Sequence, residues 1–311
     1  MKPQARLRLL AIVDSTEYVM SNCYQHQLMA ALKTKFDLKI CSVREFLLNP
    51  LIWPNSFDRV LLAMKQRTLL RQVDAVSKRL SGREVFVYDQ DPWQAYIDDS
   101  ASRGAYPVFA DRLTIRAILM TTRWWTEFCV SKGVPARFVR MGMLPEYCVM
   151  GGAWADRRVA LGFQGSLHPH RRKFFDELSA LGLHVDVMGS RSYSDYLESL
   201  GDIQIYIHTE DDPWCVDGQM IPRNALWIKD VEVAARGCFA IRNWDVDADA
   251  YDIDEVPTIR HFKNVSEVPG IVSEIQSMDS HARDDAMCRS VEIVRQRDDW
   301  QTVVREIESE A

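Results

Sequence analysis

Nothing in the 311-residue chain approaches the roughly 20 consecutive apolar residues needed to span a bilayer. A secretory leader pattern is missing too. Met1-Lys-Pro-Gln-Ala-Arg6 runs straight into Leu7-Arg-Leu-Leu-Ala-Ile-Val13, a short run that contains a charge and precedes no small-residue cleavage site. That run reads as a first strand. Cysteine is sparse and unpatterned: seven residues, at 23, 41, 129, 148, 215, 238 and 288, with no C-x-x-C and no Cys/His ligand spacing. This argues against a structural zinc or a disulfide framework, and fits a reduced, cytoplasmic protein. Short-period repeats and low-complexity segments are also absent.

With 47% hydrophobic and 26% charged residues the chain reads as globular. Its length exceeds one typical core, so two domains are expected, at 1–150 and 151–311. The net charge of −6 conceals an asymmetry, +7 over residues 1–150 against −13 over residues 151–311. A basic half joined to an acidic half suggests an anionic partner for the first, or simply a solvated surface.

Hydrophobic patterning alternates strand and helix. In the first half, strands are predicted at 8–13, 38–43, 85–88, 117–121 and 138–141. Helical stretches are predicted at 20–35, 57–80 (Val60, Leu61, Met64, Val73, Val76 and Leu80 inward) and 124–132. Pattern is lost over 146–156, around Gly151-Gly152. The alternation then restarts, with strands at 159–163, 184–188, 203–208, 239–241 and 258–261. Helices are predicted at 172–181, 193–200, 225–236, 268–278 and 282–308, the last broken near 298–300. Alternation of this kind predicts two parallel α/β halves, whose ligands bind outside the carboxyl ends of the strands.

The organising stretch is 221–237, Ile-Pro-Arg-Asn-Ala-Leu-Trp-Ile-Lys-Asp-Val-Glu-Val-Ala-Ala-Arg-Gly. Ala225, Ile228, Val231, Glu232 and Ala235 recur at helical spacing, and Gly237 suits a helix stop. A helix entered from a strand and a polar loop presents unpaired N–H groups to phosphate. Lys229 and Glu232 share one of its faces. A cation there can meet a diphosphate while the carboxylate accepts ribose hydroxyls; a solvated surface pair is the alternative. The segment from Lys229 to Phe239 resembles the "R-x-x-E-x-x-A-x-G-G/C-F" element in the C-terminal half of two-Rossmann (GT-B) glycosyltransferases, the spore-maturation-type group above all.

A second motif, Phe163-Gln-Gly165-Ser-Leu-His168-Pro-His170-Arg171-Arg-Lys173, resembles the "F-x-G-S-x-x-P-x-R" loop of the same group. There the glycine turn and the arginine approach the donor diphosphate, which implies that role for Gly165, Ser166 and Arg171. Three cations at a helix start oppose the helix dipole, so an anion is expected beside them. A basic surface turn would look the same. Arg223, with Asn224 beside it, joins Lys229 at the phosphates; acidic residues of the loop 208–218 would hold sugar hydroxyls. Trp214 and Trp227 are candidates to stack on the base, a core role being the alternative for Trp227.

Three first-half features bear on the acceptor. Asp89 and Asp91, followed by Trp93, could contact sugar hydroxyls, serve as general base, hold a metal or close a turn. Asp14 and Ser15 follow the first strand, where an N-cap at Ser15 or Thr16 explains the residues equally well. Residues 46–54, apolar and interrupted by two prolines, are not expected to be a regular helix. They precede a helix carrying Arg59, Lys65, Arg67, Arg71, Lys78 and Arg79. That combination suits docking on an anionic membrane bearing a lipid-linked acceptor, or packing of the loop into the sheet. No recognised nucleic-acid module is present.

The resemblance implies two Rossmann-like domains facing across a cleft (GT-B architecture), with the final helix free to pack back on the first domain. The enzyme would be a metal-independent hexosyltransferase of glycan biosynthesis, with the resemblance leaning toward retention of configuration and without a cofactor beyond its nucleotide-sugar donor. It would be cytoplasmic or peripheral to the inner membrane face. Arg171 and Lys229 would stabilise the leaving diphosphate, and an inverting enzyme would use Asp89 or Asp91 as base. Lysine at 229, where arginine is commoner, keeps the charge without the bidentate fork. A sugar-nucleotide epimerase or hydrolase, a DNA-modifying transferase and a non-catalytic binding module are the alternatives.

Overall fold

The computed structural model describes residues 6–22, 24–189, 192–210, 212–223, 225, 228–244, 246–297 and 299–309. The chain forms two compact units. The first comprises Met1–Arg140, Trp214–Ile221 and Asp299–Ala311; the second comprises Met141–Pro213 and Pro222–Asp298.

The elements of residues 1–140 are β1 (Arg8–Val13), α1 (Thr16–Asn22), α2 (Gln25–Lys35), β2 (Asp37–Ser42), α3 (Val43–Leu48), β3 (Arg59–Ala63), α4 (Gln66–Leu80), β4 (Glu84–Asp89), α5 (Ala105–Arg112), β5 (Thr114–Met120), α6 (Arg123–Ser131) and β6 (Ala136–Phe138). The strands form one parallel sheet in the order β2-β1-β3-β4-β5-β6. Its core runs from Leu10 and Ile12 through Leu62, Val87 and Ile118 to Phe109 on the covering helix α5.

Residues 141–298 supply β7 (Val159–Gln164), α7 (Pro169–Ala180), β8 (Asp186–Met188), α8 (Tyr193–Leu200), β9 (Ile203–His208), β10 (Trp214–Val216), β11 (Gln219–Ile221), α9 (Ile228–Ala235), β12 (Phe239–Asn243), β13 (Ile259–Phe262), α10 (Val268–Ser277) and α11 (Ser280–Gln296). α12 (Trp300–Glu308) follows. A five-stranded parallel sheet in the order β13-β12-β9-β7-β8 is the frame of the second unit. The mixed α/β class with two parallel sheets is as the sequence predicts.

The departures have local causes. The expected helix 57–80 begins only at Gln66, because Arg59-Val-Leu-Leu-Ala63 is the strand β3, buried from Val60 on. A short apolar run carries no period that separates strand from helix, and a central parallel strand is apolar on both faces. Residues 43–48 are helical where none was expected. Ser42 caps them, its hydroxyl accepting from the Glu45 N–H while the Glu45 carboxylate accepts from the Ser42 N–H. The hairpin β10–β11 lies where the sequence suggests a loop, although Asp217-Gly218 at its tip, with φ of 50° and 76°, is the dipeptide that a two-residue hairpin turn favours. The helix expected at 225–236 is described over Ile228–Ala235; Asn224 and Trp227 lie outside the described residues. Among the described residues no helix is long and apolar enough to cross a membrane.

Candidate functional site

In the second unit β7, β9 and α9 bring the two motif segments together. β7 ends at Gln164, and Gly165 turns the chain with φ of 141°. A Cβ on Gly165 would lie 2.7 Å from the Lys229 amine. Glycine is therefore favoured by the backbone angle, and any Cβ there would push the flexible Lys229 amine aside. The Lys229 Nζ donates to the Gln164 carbonyl at 3.4 Å and lies 5.2 Å from the centre of the Phe163 ring. No carboxylate lies within 4 Å of that amine among the described residues. Burial, then the like charge of Arg171, holds its pKa below the usual lysine value, against the raising pull of Glu210 and Glu232.

Arg171, one turn into α7, is buried. Its guanidinium donates to the Ser166 carbonyl at 2.9 Å and to Glu210 Oε1 at 2.5 Å, and sits 5.3 Å from the Phe163 ring centre. Arg172 donates to the Leu167 carbonyl at 3.2 Å. Arg171 thus braces the glycine turn from within, and Arg172 from the exposed side. The anion expected beside them is Glu210, which also has Arg223 Nη1 at 2.6 Å from Oε2, an ion contact without hydrogen-bond alignment. Burial alone would raise the Glu210 pKa; the neighbouring His208 ring and the Arg223 and Arg171 charges override it and hold the carboxyl well below its usual range. Ser166 itself is exposed. Glu210 therefore binds two arginines, where the sequence suggested sugar hydroxyls for this loop.

Behind this lies a second buried ion group. His208 Nε2 meets Asp230 Oδ1 at 3.0 Å, and Arg242 donates to Asp230 Oδ2 at 2.5 Å. Burial would raise the Asp230 pKa, but Arg242 and His208 outweigh it and hold it low. His208 Nδ1 also lies 3.6 Å from Glu210 Oε1, so this group ties α9 to the loop after β9. None of His208, Asp230 and Arg242 was singled out from the sequence. The available signal was a charge inside otherwise apolar helical and strand segments.

Glu232, one turn beyond Lys229, is 2% exposed. Tyr193 donates to its Oε1 at 2.6 Å and Tyr196 to its Oε2 at 2.9 Å, both from α8. Burial raises its pKa, the two tyrosine hydrogen bonds and Lys229 pulling the other way. Each carboxylate oxygen keeps one further acceptor site.

The acceptor candidates of the first unit are more deeply engaged than their sequence suggests. Asp89 is buried at the end of β4 and accepts from Gln66 at 2.7 Å, Tyr106 at 2.9 Å and the Asp91 N–H at 3.0 Å. Burial raises its pKa against those hydrogen bonds. Trp93 is 2% exposed and stacks on Trp214 of β10 with centroids 4.9 Å apart. Asp91 is half-buried. Asp14 accepts from the Lys65 N–H at 2.9 Å, and the Ser15 hydroxyl accepts from the Tyr18 N–H at 3.3 Å in the manner of an N-cap for α1.

No protein-family model matches this sequence, and no curated protein matches it. Solved structures do. A T4 phage β-glucosyltransferase aligns over 97% of this chain and 100% of its own, with a TM-score of 0.60 and 11% identity. Anabaena Alr3699/HepE, solved with UDP and glucose, aligns over 96% and 98% with a TM-score of 0.64 and 11% identity. An α-glucosyltransferase solved with UDP-glucose and DNA containing an abasic site aligns over 97% and 98%, with a TM-score of 0.62 and 9% identity.

The fold is GT-B. At these identities the likeness concerns the backbone arrangement, and the GT-B frame holds over nearly the whole chain. It leaves the chemistry to be argued from the side chains.

Proposed function

We propose that this GT-B protein is a glycosyltransferase that moves a sugar from a nucleoside diphosphate sugar to a hydroxyl acceptor. The observation that carries the reading is the Lys229 amine, held against the Gly165 turn with no carboxylate within 4 Å among the described residues. A partly buried cation there feels Glu210 and Glu232 only at longer range, and a donor diphosphate would supply a direct counter-charge. Arg171 and Arg223 share their charge with Glu210, so they shape the turn and lend positive potential while Lys229 makes the direct contact. Charge developing on the leaving diphosphate would be met by Lys229 and the N–H groups at the start of α9, without a metal. Glu232, oriented by Tyr193 and Tyr196, would accept from the ribose through its remaining lone pairs.

Within GT-B the resemblance of the motifs at 163–173 and 229–239 favours the spore-maturation-type group. UDP-glucose is the first donor to test, since two of the similar structures carry UDP with glucose or UDP-glucose. We read the reaction as retaining; the fold is shared by enzymes named as β- and α-glucosyltransferases, so the anomer of the product decides. Were it inverting, Asp89 or Asp91 would be the base; the Asp89 carboxyl already accepts three hydrogen bonds. DNA as the acceptor has one specific support: a similar structure holds DNA, and the first 150 residues here carry a net charge of +7.

The test is calorimetry with UDP-, GDP-, ADP- and CMP-sugars, followed by turnover with glycan, lipid-linked and duplex DNA acceptors. The reading requires one nucleotide sugar to bind, Lys229→Ala to weaken it about ten-fold or more, and an acceptor to be glycosylated. Binding without transfer, or release of free sugar or an epimer from donor alone, would replace it with the binding-module or epimerase/hydrolase reading.

A further inference from the structure

We propose that Leu48, Leu51 and Trp53 form a tip by which the protein docks on an anionic lipid bilayer. These side chains are 70%, 88% and 62% exposed, yet they fall within six residues of one another. Their neighbours Phe46, Ile52, Pro54 and Phe57 are buried, so the segment is divided between side chains that anchor it and side chains that project.

The projection is built into the fold. Arg79 of α4 donates to the Asn49 carbonyl at 2.5 Å and the Ile52 carbonyl at 3.0 Å, while its guanidinium lies over the Phe46 ring. The Asn49 side chain accepts from the Leu51 N–H at 2.9 Å, and the Ser56 hydroxyl donates to the Trp53 carbonyl at 2.8 Å. The four hydrogen bonds fix backbone, the ring contact holds the buried Phe46, and none of them involves the side chain of Leu48, Leu51 or Trp53. A cluster of large exposed apolar residues on a fixed loop marks an interaction site.

Charge identifies the occupant. Arg44 precedes Leu48 by one helical turn on α3, and Lys78 adjoins Arg79; both are exposed, and neither has a carboxylate within 4 Å among the described residues. Two leucines and a tryptophan flanked by unpaired cations match the boundary between lipid headgroups and acyl chains. There leucine enters, the indole rests at the interface and cations meet anionic headgroups. A nucleic acid would leave the leucines without partners. The proposal does not depend on the transferase reading, because it concerns a surface remote in sequence from Lys229 and Glu232.

The experiment is co-sedimentation of the full chain with vesicles of phosphatidylcholine alone or with phosphatidylglycerol, at low and high salt. The wild type should pellet with the anionic vesicles about ten-fold more than the L48S/L51S/W53S variant. R44Q/K78Q should reduce pelleting and its salt dependence, and both variants should keep the wild-type melting temperature because the altered side chains are exposed. Failure of the wild type to pellet, or equal pelleting by the serine variant, overturns the proposal. So does loss of self-association or of duplex DNA binding in the serine variant with vesicle binding unchanged, which would give the tip to a second copy or to a nucleic acid.

Discussion

At the scale of residues, the second unit places Lys229 and Glu232 under opposing demands. Burial disfavours the charge on both, so each is less stable than a neutral residue of similar shape would be. Glu232 has a raised folded-state pKa, so its ionised form is penalised above the ordinary carboxylate range and the penalty fades as the pH falls. Glu232→Gln should therefore raise the melting temperature near neutral pH, with the gain shrinking toward about pH 4, while weakening donor binding. Thermal melts over that range, paired with calorimetry, check both halves. Glu210 has the opposite sign. Its folded pKa is depressed, so its ion pairs stabilise the fold fully above the ordinary carboxylate range, and that stability is lost as the pH falls below that range toward the depressed folded value. Glu210→Gln should destabilise by about 3–5 kcal/mol at neutral pH, leaving Arg171 and Arg223 uncompensated, and should flatten the acid limb of the stability curve. Denaturant melts at several pH values measure this. Gly165→Ala should cost about 1–3 kcal/mol and also impair donor binding, because its methyl group would displace the Lys229 amine. Normal stability and affinity in that variant would mean that the turn is not built around the lysine.

At the scale of elements, the sequence was most legible where apolar runs are bounded by glycine or charge. β9, α8 and α10 fall within a residue of their predicted limits, and the predicted break near 298–300 separates α11 from α12. β3 departs from expectation because burial on both faces erases the period, and α3 because its ends fall in the expected strand 38–43 and the proline-interrupted apolar stretch 46–54. Its capping box was nevertheless visible as Ser42 and Glu45; Ser42→Ala should cost about 1 kcal/mol by chemical denaturation. For the site, the meeting of Gly165 and Lys229 followed from topology, since loops after neighbouring parallel strands converge. The state of Asp89 did not. It is set by Gln66 and Tyr106, 23 and 17 residues away, and no local pattern marks a carboxylate as buried. The partners of Glu232 were hidden for the same reason, as Tyr193 and Tyr196 arrive from another helix 39 and 36 residues away.

At the scale of the whole molecule, the first unit is assembled from three separate stretches of chain. The hairpin β10–β11 is bound into it by the Asp98 N–H donating to the Cys215 carbonyl at 3.0 Å, by Arg103 bridging Asp98 and Asp217, and by the Trp93–Trp214 stack. α12 buries Trp300, Val303, Val304 and Ile307; Trp300 stacks on Tyr24, and Arg59 donates to the Ile307 carbonyl. A chain stopped after Gln296 should therefore express poorly or aggregate, with the loss traced to the first unit by protection of its amides in hydrogen exchange. The same threading bears on synthesis. A ribosome releases the first 140 residues early, but the sheet they form receives its last covering helix only when residues 300–308 emerge. Cutting the gene at any single point would leave one product short of parts, so a split version would have to carry the hairpin and the closing helix over to the leading fragment.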